Sequence, residues 1–181
     1  SNALGIAVGD TGHLFSCHPG PPVARRTGID SNVLSNNGTG IHIESNSEGT
    51  VVIGNRIGTD QTGLLWVPND FGISVRGPAV IGGRRSPSGP CVSPCNLISG
   101  NGMGIYVAAF EDVAGVEIFY PVTIRGNTIG PNIDGQPLPV SQVGDGIHVA
   151  GSSGVAIGGT EPGEGNLIAF NGAGVVLESL S

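Results

Sequence analysis

A four-residue motif, glycine-apolar-any-apolar, occurs six times along the chain. The copies are Gly5-Ile6-Ala7-Val8, Gly40-Ile41-His42-Ile43, Gly72-Ile73-Ser74-Val75, Gly104-Ile105-Tyr106-Val107, Gly146-Ile147-His148-Val149 and Gly174-Val175-Val176-Leu177, spaced 28 to 42 residues apart. Two further motifs fall between the copies. One reads Val51-Val52-Ile53, Ala79-Val80-Ile81, Val122-Thr123-Ile124 and Val155-Ala156-Ile157. The other starts with asparagine: Asn32-Val33-Leu34, Asn55-Arg56-Ile57, Asn96-Leu97-Ile98, Asn127-Thr128-Ile129 and Asn166-Leu167-Ile168. The order first, second, third is kept throughout. Aliphatic alternation between glycines and asparagines is a strand signal, and each run is shorter than the ~10 residues a helix needs.

Short strands repeating at such a period bury nothing as isolated units. Stacked in register, equivalent strands build parallel sheets around one apolar column, and each coil covers its neighbour. The sequence therefore predicts an all-β, single-stranded parallel β-helix of about five to six coils with three parallel sheets. The asparagines at the third motif tolerate the sharp turn there and can bond from coil to coil as a ladder. The glycines are expected to supply positive φ at the corners. Coils also alternate. Asn32, Asn96 and Asn166 lead by a short turn into the next first strand, whereas Ile57-Gly58 and Ile129-Gly130 are followed by longer loops.

Composition agrees with this scaffold. Glycine is 33 of 181 residues, and the chain has 13 prolines. That richness would permit disorder, but the register of the apolar residues argues against it. Seven arginines, no lysine and a net charge of −7 leave no basic stripe for nucleic acid or an anionic membrane. No apolar run approaches the ~18 residues that insert in a bilayer. Ser1-Asn2-Ala3 reads as the scar of a removed tag. Residues 4–181 read as one β-helix domain, part of a longer repeat protein.

Two readings are open for Cys91 and Cys95, which lie four residues apart in a Gly/Pro-rich loop. They can close a small disulfide loop, as in an exported protein, or form half of a metal site with Cys17-His18.

The segments Asn55-Arg56-Ile57-Gly58-Thr59-Asp60, Val155-Ala156-Ile157-Gly158-Gly159 and Asn96-Leu97-Ile98-Ser99-Gly100-Asn101 resemble the repeats of pectate-lyase-like parallel β-helix proteins. The resemblance is closest to bacterial secreted and surface repeat proteins. It implies the right-handed coil, three sheets and export, and leaves the activity open because one scaffold serves many functions.

Alternation puts Ile41 and Ile43 inward and His42 outward. The outward column of the first sheet is then Ala7, His42, Ser74, Tyr106, His148 and Val176. His42, Ser74, Tyr106 and His148, flanked by Arg76, are the candidate ligand-binding residues, suited to a sugar chain, with Tyr106 and Trp66 as stacking platforms. Asp60 and Asp134, in the longer loops, are candidate Ca²⁺ ligands; no other cofactor is expected. No catalytic set is assembled. A glycoside hydrolase needs two carboxylates about 5–9 Å apart, and the test is whether Glu44, Asp70, Asp112 and Asp145 converge. The expectation is a non-catalytic structural or adhesive module, secreted or at the cell surface. A polysaccharide-active enzyme and a carbohydrate-binding module are the alternatives. Expected partners are a polysaccharide or surface glycan, with end-to-end self-association through uncapped ends.

Overall fold

The structure, a computed structural model, describes residues 2–9, 24–25, 27–86, 89–111, 117–139 and 144–179. Among these the fold is a right-handed parallel β-helix without α-helix. Among the described residues no helix is long and apolar enough to cross a membrane.

The first sheet stacks six strands in parallel: Asn2–Val8, Asn37–Ile43, Phe71–Val75, Met103–Ala108, Ile147–Ala150 and Val175–Glu178. Its register joins Ile6, Ile41, Ile73, Ile105, Ile147 and Val175. The second sheet holds Gly28–Asp30, Thr50–Ile53, Ala79–Ile81, Val122–Ile124 and Val155–Ile157. The third holds Val33–Leu34, Arg56–Ile57, Leu97–Ile98, Thr128–Ile129 and Leu167–Ile168. Strand Asn2–Val8 starts inside the tripeptide set aside as a tag scar, with Asn2 paired to Asn37.

Inward side chains of the three sheets make one core that contains Ile41, Ile73, Ile105, Val52, Ile81 and Ile57. All six are fully buried. The two ends differ. Val8, Ile29 and Leu34 of the first coil are buried, whereas Val175 and Leu177 of the sixth first-sheet strand and Ile157 of the coil before it are exposed.

One corner differs from the sequence reading. The alignment of Val51-Val52-Ile53 with Ala79-Val80-Ile81 is one residue out. Thr50 pairs with Ala79 and Val52 with Ile81, so Thr50 and Val52 face inward while Val51 and Ile53 are half-buried. A slip of one residue exchanges the faces of a strand. Here the register keeps Thr50 as far from Asn55 as Val122 is from Asn127, and this outweighs hydropathy. Glycine supplies the positive φ at the corners as expected, as at Gly58 with φ +89°, although the six motif glycines are not among these residues. Gly72 is needed for close stacking instead: a Cβ there would sit 2.5 Å from Gly104 O and 3.0 Å from Ile98 Cγ2.

The asparagine ladder runs the length of the third-strand corner. Nδ2 of Asn32, Asn55, Asn96 and Asn127 donates to Oδ1 of the next asparagine, ending at Asn166, at 2.9–3.1 Å. A second ladder, not expected from the sequence, links Asn37 to Asn69 at 3.1 Å and Asn69 to Asn101 at 2.9 Å. Oδ1 of Asn171 is buried with no partner among the described residues.

The alternation of coils has a physical cause. Ile133 N–H donates to Gly63 O at 3.1 Å, and Arg85 N–H to Gly163 O at 3.0 Å. Each long loop thus reaches over a short-turn coil and rests on the next long loop. Buried Glu164 ties the second pair together, accepting from Arg125 Nη1 at 2.8 Å and Arg84 Nε at 3.4 Å.

Candidate functional site

The outward column of the first sheet is built as the alternation predicts. Ala7 pairs with His42, His42 with Ser74, Ser74 with Tyr106, Tyr106 with His148 and His148 with Val176. His42, Ser74, Tyr106 and His148 are half-buried.

Phe71 joins them, and alternation alone misses it. Phe71 has the same parity as inward Ile73, yet it is 37% exposed. The phenyl ring lies 6.0 Å from the Tyr106 ring, which lies 5.6 Å from the His148 ring. Gly72, pressed against the coil above, interrupts the alternation between Phe71 and Ile73. An aromatic residue immediately before the motif glycine is the signal that could have found it. The three rings form a tilted row across three neighbouring strands, a geometry that favours offset and edge contacts.

Beside this row lies an open groove of about 330 Å³, lined by Leu4, Thr39, His42, Glu44, Phe71, Ser74, Arg76 and Tyr106. His42 Nε2 lies 2.9 Å from Glu44 Oε1. Arg76 is exposed at the groove edge and has no ion pair among the described residues. At the far end of the row, His148 Nδ1 lies 2.7 Å from Asp145 Oδ2, and Nε2 lies 3.2 Å from Glu178 Oε2. The hydrogen bond to Asp145, with a smaller contribution from Glu178, raises the His148 pKa above the ordinary value against the opposing effect of burial.

The carboxylates named as a test of catalysis are dispersed. Glu44 is held by His42 and Asp145 by His148. Those histidines lie three strand steps apart in the column, ~14 Å at the usual strand spacing. Asp70 lines a different cleft, with Asn2, Asn37 and Pro68. Asp112 lies outside the described residues. A ground-state pair spanning a sugar linkage is therefore not formed by Glu44 and Asp145.

Trp66 does not reach the groove. Its Nε1 donates to Gly100 O at 2.6 Å, which fixes the indole on the neighbouring turn. Asp60 and Asp134 stand in related loops but play different parts. The Asp60 carboxylate accepts from Leu64 N–H, Leu65 N–H and Thr62 Oγ1 at 3.1, 3.0 and 2.8 Å. These bonds, Leu65 N–H foremost, lower the Asp60 pKa to about 2. In the second loop Asn132 takes this role, its Oδ1 accepting from Asp134 N–H at 3.0 Å and Gln136 N–H at 2.8 Å. The Asp60 oxygens are thus engaged in holding their own loop, and Asp134 is a solvated turn residue. No cluster of three His, Cys, Asp or Glu side chains suited to a metal ion occurs among the described residues.

Cys91 and Cys95 are joined by a disulfide. The bridge packs with Leu97 and Ile133 in a small second core under the loops. Cys17 and His18 lie outside the described residues.

Searches against protein-family models, curated proteins and solved structures give no match to this chain.

Proposed function

We propose that this chain is a non-catalytic adhesive module of an exported protein, allied to the pectate-lyase-like β-helices, and that it holds a polysaccharide against the outward face of its first sheet. The row Phe71, Tyr106 and His148 carries this reading. Phe71 and Tyr106, with ring centroids 6.0 Å apart, offer apolar platforms to the faces of pyranose rings, and the His148 ring, 5.6 Å from Tyr106, extends the row with a polar one. Beside them Ser74, Arg76 and the His42–Glu44 pair supply donors and acceptors for hydroxyl groups. The rigid backing limits the ordering cost on binding. The Cys91–Cys95 disulfide suits an oxidising compartment, which supports export.

The test is a glycan array probed with the intact chain and with Tyr106→Ala, followed by incubation of each bound glycan and product analysis. Binding that weakens roughly tenfold or more in Tyr106→Ala, as loss of ~1.4 kcal/mol requires, with the glycan recovered unchanged, supports the proposal. Cleavage of the glycan, or equal binding by the variant, overturns it.

A further inference from the structure

The last strand, Val175–Glu178, is held differently from the strands before it. Its inward-type residues are poorly covered: Leu177 is 73% exposed, whereas the paired Val149 is buried. A polar bridge adds to the backbone pairing of this strand. His148, on strand Ile147–Ala150, lies between Asp145 Oδ2 at 2.7 Å and Glu178 Oε2 at 3.2 Å, one carboxylate at each ring nitrogen.

A neutral imidazole has one N–H and one lone pair, so it can donate to only one of two carboxylates. Both contacts are satisfied only by the imidazolium. The bridge from the fifth strand to the sixth therefore depends on a single proton. The groups that face His148 among the described residues are Asp145 from its own coil, Glu178 and Val176 from the last strand, and the Tyr106 ring from strand Met103–Ala108.

We infer that Asp145, His148 and Glu178 form a proton-operated clamp, closed when His148 is charged, that ties strand Val175–Glu178 to strand Ile147–Ala150. The raised pKa of His148 fits this sign. The stabilisation is complete below the ordinary histidine pKa and is lost as pH rises through the higher folded value. The clamp stands independently of any glycan.

Amide hydrogen exchange on the intact chain reads it out. Gly151 N–H donates to Glu178 O at 2.8 Å, across the joint. Between about pH 5 and pH 8, the range over which histidine changes charge, its protection factor is expected to fall. The fall is roughly two- to fivefold, the weight of a partly exposed ion pair. The amide of Ile73, deep in the sheet, keeps its protection. In His148→Gln the Gly151 amide has the low value at both pH values while Ile73 is unchanged, which separates clamp loss from unfolding. In Glu178→Gln the His148 titration midpoint, followed by NMR, moves down. Protection of Gly151 that does not change with pH, or a pH effect that persists in His148→Gln, overturns the inference.

Discussion

Single atoms decide the fit at the most repeated residue. Gly72 has no room for a methyl group, because its Cβ would press on a carbonyl oxygen of the next coil, which cannot move without breaking the sheet. Gly72→Ala is expected to lower stability by about 1–3 kcal/mol, as overpacking does, measured by denaturant unfolding. Ile73, fully buried, tests the opposite defect. Ile73→Ala leaves a cavity and is expected to cost about 2–5 kcal/mol. Both roles were legible in the sequence only as a pattern. Repetition marked Gly72 and Ile73 as special, but it carried no sign that the glycine serves close stacking between coils. Phe71 was not legible, since strict alternation sends it into the core. His42, Ser74, Tyr106 and His148 were found because the residues between them alternate cleanly.

Beyond backbone pairing, side-chain amides and loop-to-loop contacts join successive coils. Asn96 Nδ2 donates to Val52 O at 2.8 Å and to Asn127 Oδ1 at 2.9 Å, and Asn96 Oδ1 accepts from Asn55 N–H at 3.0 Å. Asn96→Ala leaves these buried groups without partners, at about 1–3 kcal/mol each for any that water does not reach. A fall in the thermal midpoint larger than for Asn166→Ala, at the less buried end of the ladder, is the expected result. Acid acts on the loops. The Asp60 carboxyl has its pKa lowered to about 2, and Glu164 is held low by Glu161 N–H and the Arg84 and Arg125 guanidinium groups. Depressed carboxylates stabilise above their ordinary pKa and lose that effect as pH falls through the folded value. Proteolysis of the loops is therefore expected to accelerate below about pH 4, before the sheets unfold. The third-strand ladder and the long loops could be read from Asn and Gly spacing. The second ladder was missed, although Asn37, Asn69 and Asn101 each stand three residues before a motif glycine.

At the scale of the whole molecule, each coil is stabilised by its neighbours, and the sequence declares this through register more than through hydropathy. Stacked repeats share stability between adjacent units. The fold followed from three motifs in fixed order. The groove did not, because it depends on Leu4, Thr39 and Arg76 coming together from separate coils. What the molecule does with that groove is open to one direct measurement: an NMR titration of the labelled chain with a glycan selected on the array. The account predicts amide shifts concentrated at His42, Ser74, Tyr106 and His148, with the glycan recovered intact. Shifts centred instead on the cleft of Arg85, Cys91 and Asp134, or a glycan recovered in fragments, would contradict it.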